Sequence, residues 1–140
     1  MPLLANDTDG AVTRKRLETW AAKEEKVTVV AATDAATTMT AATLAAAGEV
    51  VFTMTPTAAR TLTTPTGALL GAAFTDEAVG SSFRFTVVNG AAATHAITLT
   101  AGASGVTLGG VAGMATIAAA SSASFVAVFT AADTVTIYRK

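Results

Sequence analysis

The side chains that could carry chemistry in this 140-residue chain are few and scattered. His95 is the only histidine, and no second ligand or base accompanies it. Metal binding and general base catalysis both need several groups that converge on one point. We therefore interpret His95 as a histidine at the edge of the core, and we predict no metal site and no cofactor.

Two acidic patterns resemble functional motifs without completing them. Asp76 and Glu77 are adjacent, whereas acid–base catalysis needs two carboxyl groups that converge from different elements, so we favour a solvated turn. The segment Asp7–Glu18 begins like a calcium loop. Ala11 and Val12 stand where that loop needs an oxygen ligand and a glycine, so it predicts no calcium site.

Glycine, serine and cysteine provide no reactive group either. The glycines between Gly102 and Gly113 precede no lysine and no expected junction of strand and helix, so they do not form a phosphate loop. Ser121, Ser122 and Ser124 have no base in a shared motif, and the chain has no cysteine. We predict no catalytic residue and no enzymatic activity.

Charge divides the chain into two segments. Residues 1–26 hold ten of the 19 charged side chains, whereas the 112 residues from Val27 to Tyr138 hold seven. The net charge of −1 provides no field that attracts nucleic acid or an anionic membrane, and we predict neither as a partner. We therefore divide the chain into a charged N-terminal arm, 1–26, and a β-domain, 27–140.

The N-terminal arm contains the candidate interface with a partner. Its residues form either a short helix with a narrow apolar stripe or an extended arm, and such a helix needs a docking partner. The basic cluster is either a solvated turn or a contact to an acidic surface, and the tryptophan is either an internal staple or an interface anchor. The candidate interface residues are Arg14, Lys15, Arg16, Leu17 and Trp20.

From Val27 onward the apolar residues alternate with a period of two, which predicts strands. A further segment, Ser124–Phe129, is apolar on both faces and predicts a central strand. Asn89-Gly90 predicts a hairpin turn. The alternating segments are Val27–Val30, Glu49–Thr55, Phe83–Val87, His95–Thr100 and Thr134–Tyr138.

One segment, 66–74, clusters its apolar residues at helical spacing and predicts a short bridging helix. The chain also contains an internal sequence similarity, because Ala42–Ala47 resembles Ala115–Ala120 and the similarity continues at an offset of 73 residues. It reflects either a structural repeat or chance similarity in a chain rich in alanine and threonine. The predicted fold is an all-β, two-sheet antiparallel β-sandwich of about eight strands.

The second half of the chain resembles small β-sandwich proteins of tailed bacteriophages, namely capsid cement or decoration proteins and related head-fibre modules. The likeness covers roughly residues 60–140 and consists of strand pattern, glycine turns and threonine and valine content. The segments that carry it are Arg60–Leu70, Val79–Asn89, Ala96–Thr100, Gly105–Leu108, Phe125–Thr130 and Thr134–Arg139.

This resemblance implies a jelly-roll-like form of the sandwich and a structural virion protein on the outer capsid surface. We expect synthesis in the host cytoplasm, because the apolar run Met1–Ala5 is too short for a signal peptide. It implies binding to the major capsid protein and stabilisation of contacts between capsid subunits. We also expect self-association as a homodimer or homotrimer. The alternative function is a receptor- or glycan-binding module of a head fibre or tail fibre, which would need exposed aromatic side chains.

Overall fold

A computed structural model describes residues 26–75, 77–110 and 112–140 of the protein. These residues form ten strands and two short helices. In chain order they are β1 (Val27–Ala31), β2 (Thr37–Thr38), α1 (Ala41–Ala45), β3 (Glu49–Met54), β4 (Arg60–Thr63), α2 (Gly67–Ala73), β5 (Ser82–Asn89), β6 (Ile97–Thr100), β7 (Val106–Gly109), β8 (Thr116–Ile117), β9 (Ser121–Ala131) and β10 (Thr134–Arg139).

The strands form two sheets. Sheet A has six strands in the order β1-β3-β5-β9-β10-β7, and sheet B has four in the order β2-β4-β6-β8. The predicted all-β, two-sheet architecture is therefore confirmed, with ten strands in the described part of the chain instead of about eight. The central position predicted for the doubly apolar segment is also confirmed, because β9 lies between β5 and β10.

The pairing of the strands differs from the antiparallel sandwich that we predicted. From β1 to β9 the chain changes sheet after every strand, so β1, β3 and β5 lie side by side in parallel, as do β2, β4 and β6. Among the described strands five of the eight pairings are parallel and three are antiparallel. Apolar periodicity indicates which face of a strand is buried, but it carries no information on the direction of the neighbouring strand.

The core lies between the sheets and is made of large apolar side chains from both. Sheet A contributes phenylalanines, and the rings of Phe85 and Phe125 stack with their centroids 5.1 Å apart. Those two residues are register partners on adjacent strands. Sheet B contributes branched aliphatic side chains. The buried side chains of both sheets form one cluster, with Phe52, Phe83, Phe85, Phe125 and Phe129 from sheet A and Leu62, Ile97, Leu99 and Ile117 from sheet B.

The bridging helix predicted near 66–74 is confirmed as α2. Thr66 caps it, because its hydroxyl oxygen accepts a hydrogen bond from the backbone N–H of Leu69 at 3.4 Å. The glycine at the first helical position has a packing reason, since a Cβ on Gly67 would collide with the carbonyl oxygen of Asp133. Glycine therefore lets the start of α2 approach the turn between β9 and β10.

The internal sequence similarity does not correspond to a structural repeat. Its first segment contains helix α1, which the sequence did not predict, whereas the matching segment contains β8. The following strands differ as well, because β3 leads across to β4 in the other sheet while β9 and β10 are antiparallel neighbours in sheet A. Small residues such as alanine and threonine fit helices, turns and strands alike, so two segments rich in them can be similar in sequence without sharing a structure.

Asn89 does not start a hairpin, because β5 and β6 belong to different sheets. Its side chain is buried with 1% exposure and makes three hydrogen bonds. The amide nitrogen donates to the carbonyl oxygens of His95 (2.8 Å) and Ile117 (3.0 Å), and the amide oxygen accepts from the N–H of Ala91 (3.0 Å). One amide thus joins the end of β5 in sheet A to β8 in sheet B.

Substitution of Asn89 by alanine should lower the free energy of unfolding by about 3 kcal/mol, because it leaves buried backbone groups without partners. Urea denaturation of the purified protein measures this. The matched control is Thr98→Ala at an exposed position of β6, where we expect a change within about 0.5 kcal/mol. A similar small change for both variants would contradict the role assigned to Asn89.

Candidate interaction surfaces

The five residues of the predicted interface, Arg14, Lys15, Arg16, Leu17 and Trp20, lie outside the described residues. Their role as a partner interface therefore stays a prediction, as does the division of the chain into an arm and a β-domain. Strand β1 begins at Val27, where the sequence changes from charged to apolar. Lys26 is held at this junction, since its carbonyl oxygen accepts from the N–H groups of Gly48 (3.0 Å) and Glu49 (3.3 Å).

His95 lies in the connection between β5 and β6, two residues before β6 begins. It is half-buried, and its carbonyl oxygen accepts the hydrogen bond from Asn89. The expected position on the face of a strand is thus corrected to a loop at the edge of the core. Among residues 26–75, 77–110 and 112–140, no three histidine, aspartate or glutamate side chains come close enough to hold a metal ion.

Glu77 is half-buried instead of fully solvated, and its neighbour Asp76 in the expected solvated turn lies outside the described residues. One carboxylate oxygen of Glu77 lies 3.5 Å from the backbone nitrogen of Asp133 in the turn between β9 and β10. This contact links the segment after α2 to the β9–β10 turn. The hydroxyl of Ser124 also has a structural contact, because it lies 2.9 Å from the hydroxyl of Thr86.

Asp34 and Arg60 form an ion pair that the sequence did not reveal. Arg60 Nε donates to Asp34 Oδ1 at 2.7 Å, and the hydroxyl and backbone N–H of Thr57 donate to the same carboxylate. These bonds join the loop after β1 to the beginning of β4. The guanidinium of Arg60 and the hydroxyl of Thr57 hold the pKa of Asp34 well below its usual range. The residues are 26 positions apart, so no local spacing pattern could have paired them.

The outer face of sheet A is broad and nearly uncharged. Along each strand, the residues that alternate with the buried ones point outward. At these outward positions of the described strands, the charged residues are Glu49 and Arg84. The carboxylate of Glu49 accepts a hydrogen bond from Thr86 at 2.7 Å. Most apolar members of this face are valines, namely Val27, Val29, Val51, Val88, Val126 and Val128. Ala31 and the exposed ring of Tyr138 lie on the same face.

The outer face of sheet B is smaller and consists of threonines. Thr61, Thr98 and Thr116 lie in register across β4, β6 and β8. A second row contains Thr38, Thr63 and Thr100 on β2, β4 and β6. Threonine suits an exposed strand because its branched side chain fits the pleated surface, so the array is explained by strand propensity.

Two open depressions interrupt the surface. One, of about 550 Å³, lies between α1 and α2 and is lined mainly by small apolar residues and Leu69. The other, of about 560 Å³, lies beside Tyr138 and Arg139. The guanidinium of Arg139 donates to the carbonyl oxygens of Met114 (3.3 Å) and Thr116 (2.8 Å), so it holds a loop in place. Neither depression brings together the converging polar groups of a small-molecule site.

Comparison with known proteins found no matching family model, no similar curated protein and no similar solved structure. Within the described residues, neither helix has the length and apolar character to cross a membrane. The surfaces described above are therefore the basis for a functional proposal.

Acid should weaken the Asp34–Arg60 link. Because the pKa of Asp34 is lowered by folding, the link contributes stability above the ordinary aspartate pKa of about 3.9, and this contribution is lost as the pH falls below it. The unfolding temperature of the wild type should therefore fall more steeply below about pH 4 than that of Asp34→Asn. Arg60→Gln should flatten the profile only in part, because the hydroxyl and backbone N–H of Thr57 still lower the pKa of Asp34. Parallel profiles for all three proteins would contradict this role.

Proposed function

We propose that this protein is a structural virion protein that binds the outer surface of a tailed-phage capsid. In this role it stabilises contacts between major capsid protein subunits, and it has no catalytic activity. The proposed docking surface is the outer face of sheet A. The jelly-roll arrangement implied by the resemblance stays a prediction, and the proposed function does not depend on it.

The observation that carries the proposal is the low charge of this face. A docking surface must lose its water, and desolvation is most costly for charged groups. Of the outward-facing residues on the described strands of sheet A, Glu49 and Arg84 carry charge, and Glu49 already accepts a hydrogen bond from Thr86. Valine and threonine side chains can therefore form a flat contact at small desolvation cost.

The size of the face is adequate for a weak contact that many copies would strengthen. Six strands about 4.8 Å apart and roughly six residues long span about 24 Å by 20 Å, or roughly 500 Å². A standard protein interface buries about 800 Å² on each partner. One copy alone would thus bind weakly, whereas repetition over an icosahedral shell makes many weak contacts collectively strong.

The alternative function, a receptor- or glycan-binding fibre module, fits these observations less well. Such modules need exposed aromatic rings, but all six phenylalanines are buried or half-buried. Tyr138, with 44% exposure, is the large aromatic side chain that the described part of the chain exposes. The depression beside it holds Arg139, whose guanidinium is already engaged by backbone oxygens.

The N-terminal arm is the second element of the proposal. Arg14, Lys15 and Arg16 would contact an acidic part of the shell, and Leu17 and Trp20 would provide an apolar anchor. A three-residue basic cluster and a single tryptophan are too few for strong binding alone. We therefore propose that the arm and the face of sheet A act together.

Shells that lack this protein should assemble but rupture at a lower temperature than complete shells, because contacts between capsid subunits lose their additional bridge. Adding back the purified protein should restore the rupture temperature. A variant without residues 1–25, which keeps Lys26 and its bonds to Gly48 and Glu49, should restore it less. Light scattering during heating measures rupture, and circular dichroism verifies that the shortened variant is folded.

Equal rupture temperatures with and without the protein would refute the stabilising function. Full restoration by the shortened variant would refute the role of the arm while leaving that of sheet A.

A further inference from the structure

Strand β1 has one side free of pairing among the described residues. On its other side it pairs with β3, since Lys26 O accepts from Glu49 N at 3.3 Å and Ala32 N donates to Thr53 O at 2.8 Å. Successive residues of a strand direct their backbone groups to opposite sides. The N–H and C=O groups of Val27, Val29 and Ala31 therefore point away from β3, toward the open edge.

The side chains of these three residues are exposed as well. Val27 is 56% exposed and Val29 66%, both on the outer face of sheet A. The strand has the sequence VTVVA, without a charge or a proline, and its register with β3 is regular over all five residues. A long, regular, apolar edge is a template for pairing with another strand.

The other three edge strands of the described structure are shorter than β1. At the edges of sheet B, β2 and β8 have two residues each, and very short edge strands offer little to pair with. At the far edge of sheet A, β7 has four residues and is bounded by Gly105 and Gly110, which have positive φ angles of 69° and 132°. β1, with five residues, is thus the longest regular edge strand of the described structure.

The four residues before β1, Lys23–Lys26, do not favour a tight hairpin back onto this edge. Their sequence, Lys-Glu-Glu-Lys, contains none of the glycine, asparagine, aspartate or proline residues that tight hairpin turns require. A strand from a second molecule needs no such turn.

We propose that the open edge of β1 pairs with β1 of a second copy of this chain, antiparallel, about a two-fold axis at Val29. In this register Val29 lies opposite Val29 of the second copy, and Val27 lies opposite Ala31. These are the residues whose backbone groups point outward, so each facing pair exchanges two hydrogen bonds, about six in total. A two-fold axis requires such a self-complementary surface.

The pairing joins the two copies of sheet A into one continuous sheet. No charged side chain of β1 meets its like across the axis, because the strand is uncharged. Strands of five residues bury well below the roughly 1,200 Å² of a stable interface, so the dimer is weak. We expect a dissociation constant between about 10 µM and 1 mM in solution. The pairing does not depend on shell binding, and the test uses the full-length protein alone.

A charge-swap experiment tests the position of the axis. Val29→Lys and Val29→Glu each place like charges directly opposite one another, so each variant should remain monomeric. An equimolar mixture brings lysine opposite glutamate and should dimerise again. Sedimentation velocity from about 10 µM to about 2 mM measures the mass and covers the expected dissociation range. Thr98→Lys and Thr98→Glu on the outer face of sheet B are the matched controls and should dimerise like the wild type.

A wild type that stays monomeric throughout, a dimer unaffected by Val29→Lys, or a mixture that fails to associate would each overturn the proposal. Hydrogen exchange provides an independent test without substitutions. The amides of Val27, Val29 and Ala31 should become at least tenfold more protected as the wild-type concentration rises through the dimer range. Protection that is independent of concentration would mean that another segment of the same chain covers the edge.

Discussion

The structure depends on the apolar contact between the inner faces of its two sheets. Phenylalanines of sheet A pack against leucines and isoleucines of sheet B, and the largest side chains are fully buried. Burial of each such side chain is worth about 1.5–3 kcal/mol. The described residues contain few charged groups, and the Asp34–Arg60 pair is about a third exposed, with side-chain exposures of 33% and 27%. Folding therefore relies on the core, while ion pairing contributes locally.

Because the core stabilises the fold, the outer faces need no charge to hold the sheets together. The chain places valine and threonine on the outside of sheet A and threonine on the outside of sheet B, where strand propensity favours them. A surface of this kind has few charges that would repel a partner, and removing its water costs little free energy. At the β1 edge, pairing with a second copy would extend sheet A and roughly double its uncharged face. The proposed dimer would thus bring the docking area close to that of a standard interface.

The sequence predicted what depends on local pattern. Alternation of apolar residues located β3, β5, β6 and β10, and the cluster at 66–74 located α2, whose cap at Thr66 follows a local rule. Contacts between distant residues were not predictable in this way. The parallel pairing of β1, β3 and β5 depends on how the crossovers run, and the pairing of Asp34 with Arg60 depends on the fold.

Asn89 is a single residue whose contacts the local sequence did not predict. Its local context, Asn-Gly after a strand, is typical of a hairpin. In the folded chain the amide instead bonds to backbone groups of His95 and Ile117, the second of which is 28 residues away. The proposed interface in the arm, from Arg14 to Trp20, rests on composition alone.

In the proposed function, the nearly uncharged outer face of sheet A binds the capsid surface. Co-sedimentation of the purified protein with empty shells tests this binding, comparing Val128→Lys on that face with Thr98→Lys on sheet B. We predict saturable binding for the wild type and Thr98→Lys, and binding weakened about tenfold or more for Val128→Lys, equal to about 1.4 kcal/mol. Absence of wild-type binding, or equal binding by both variants, would contradict the claim.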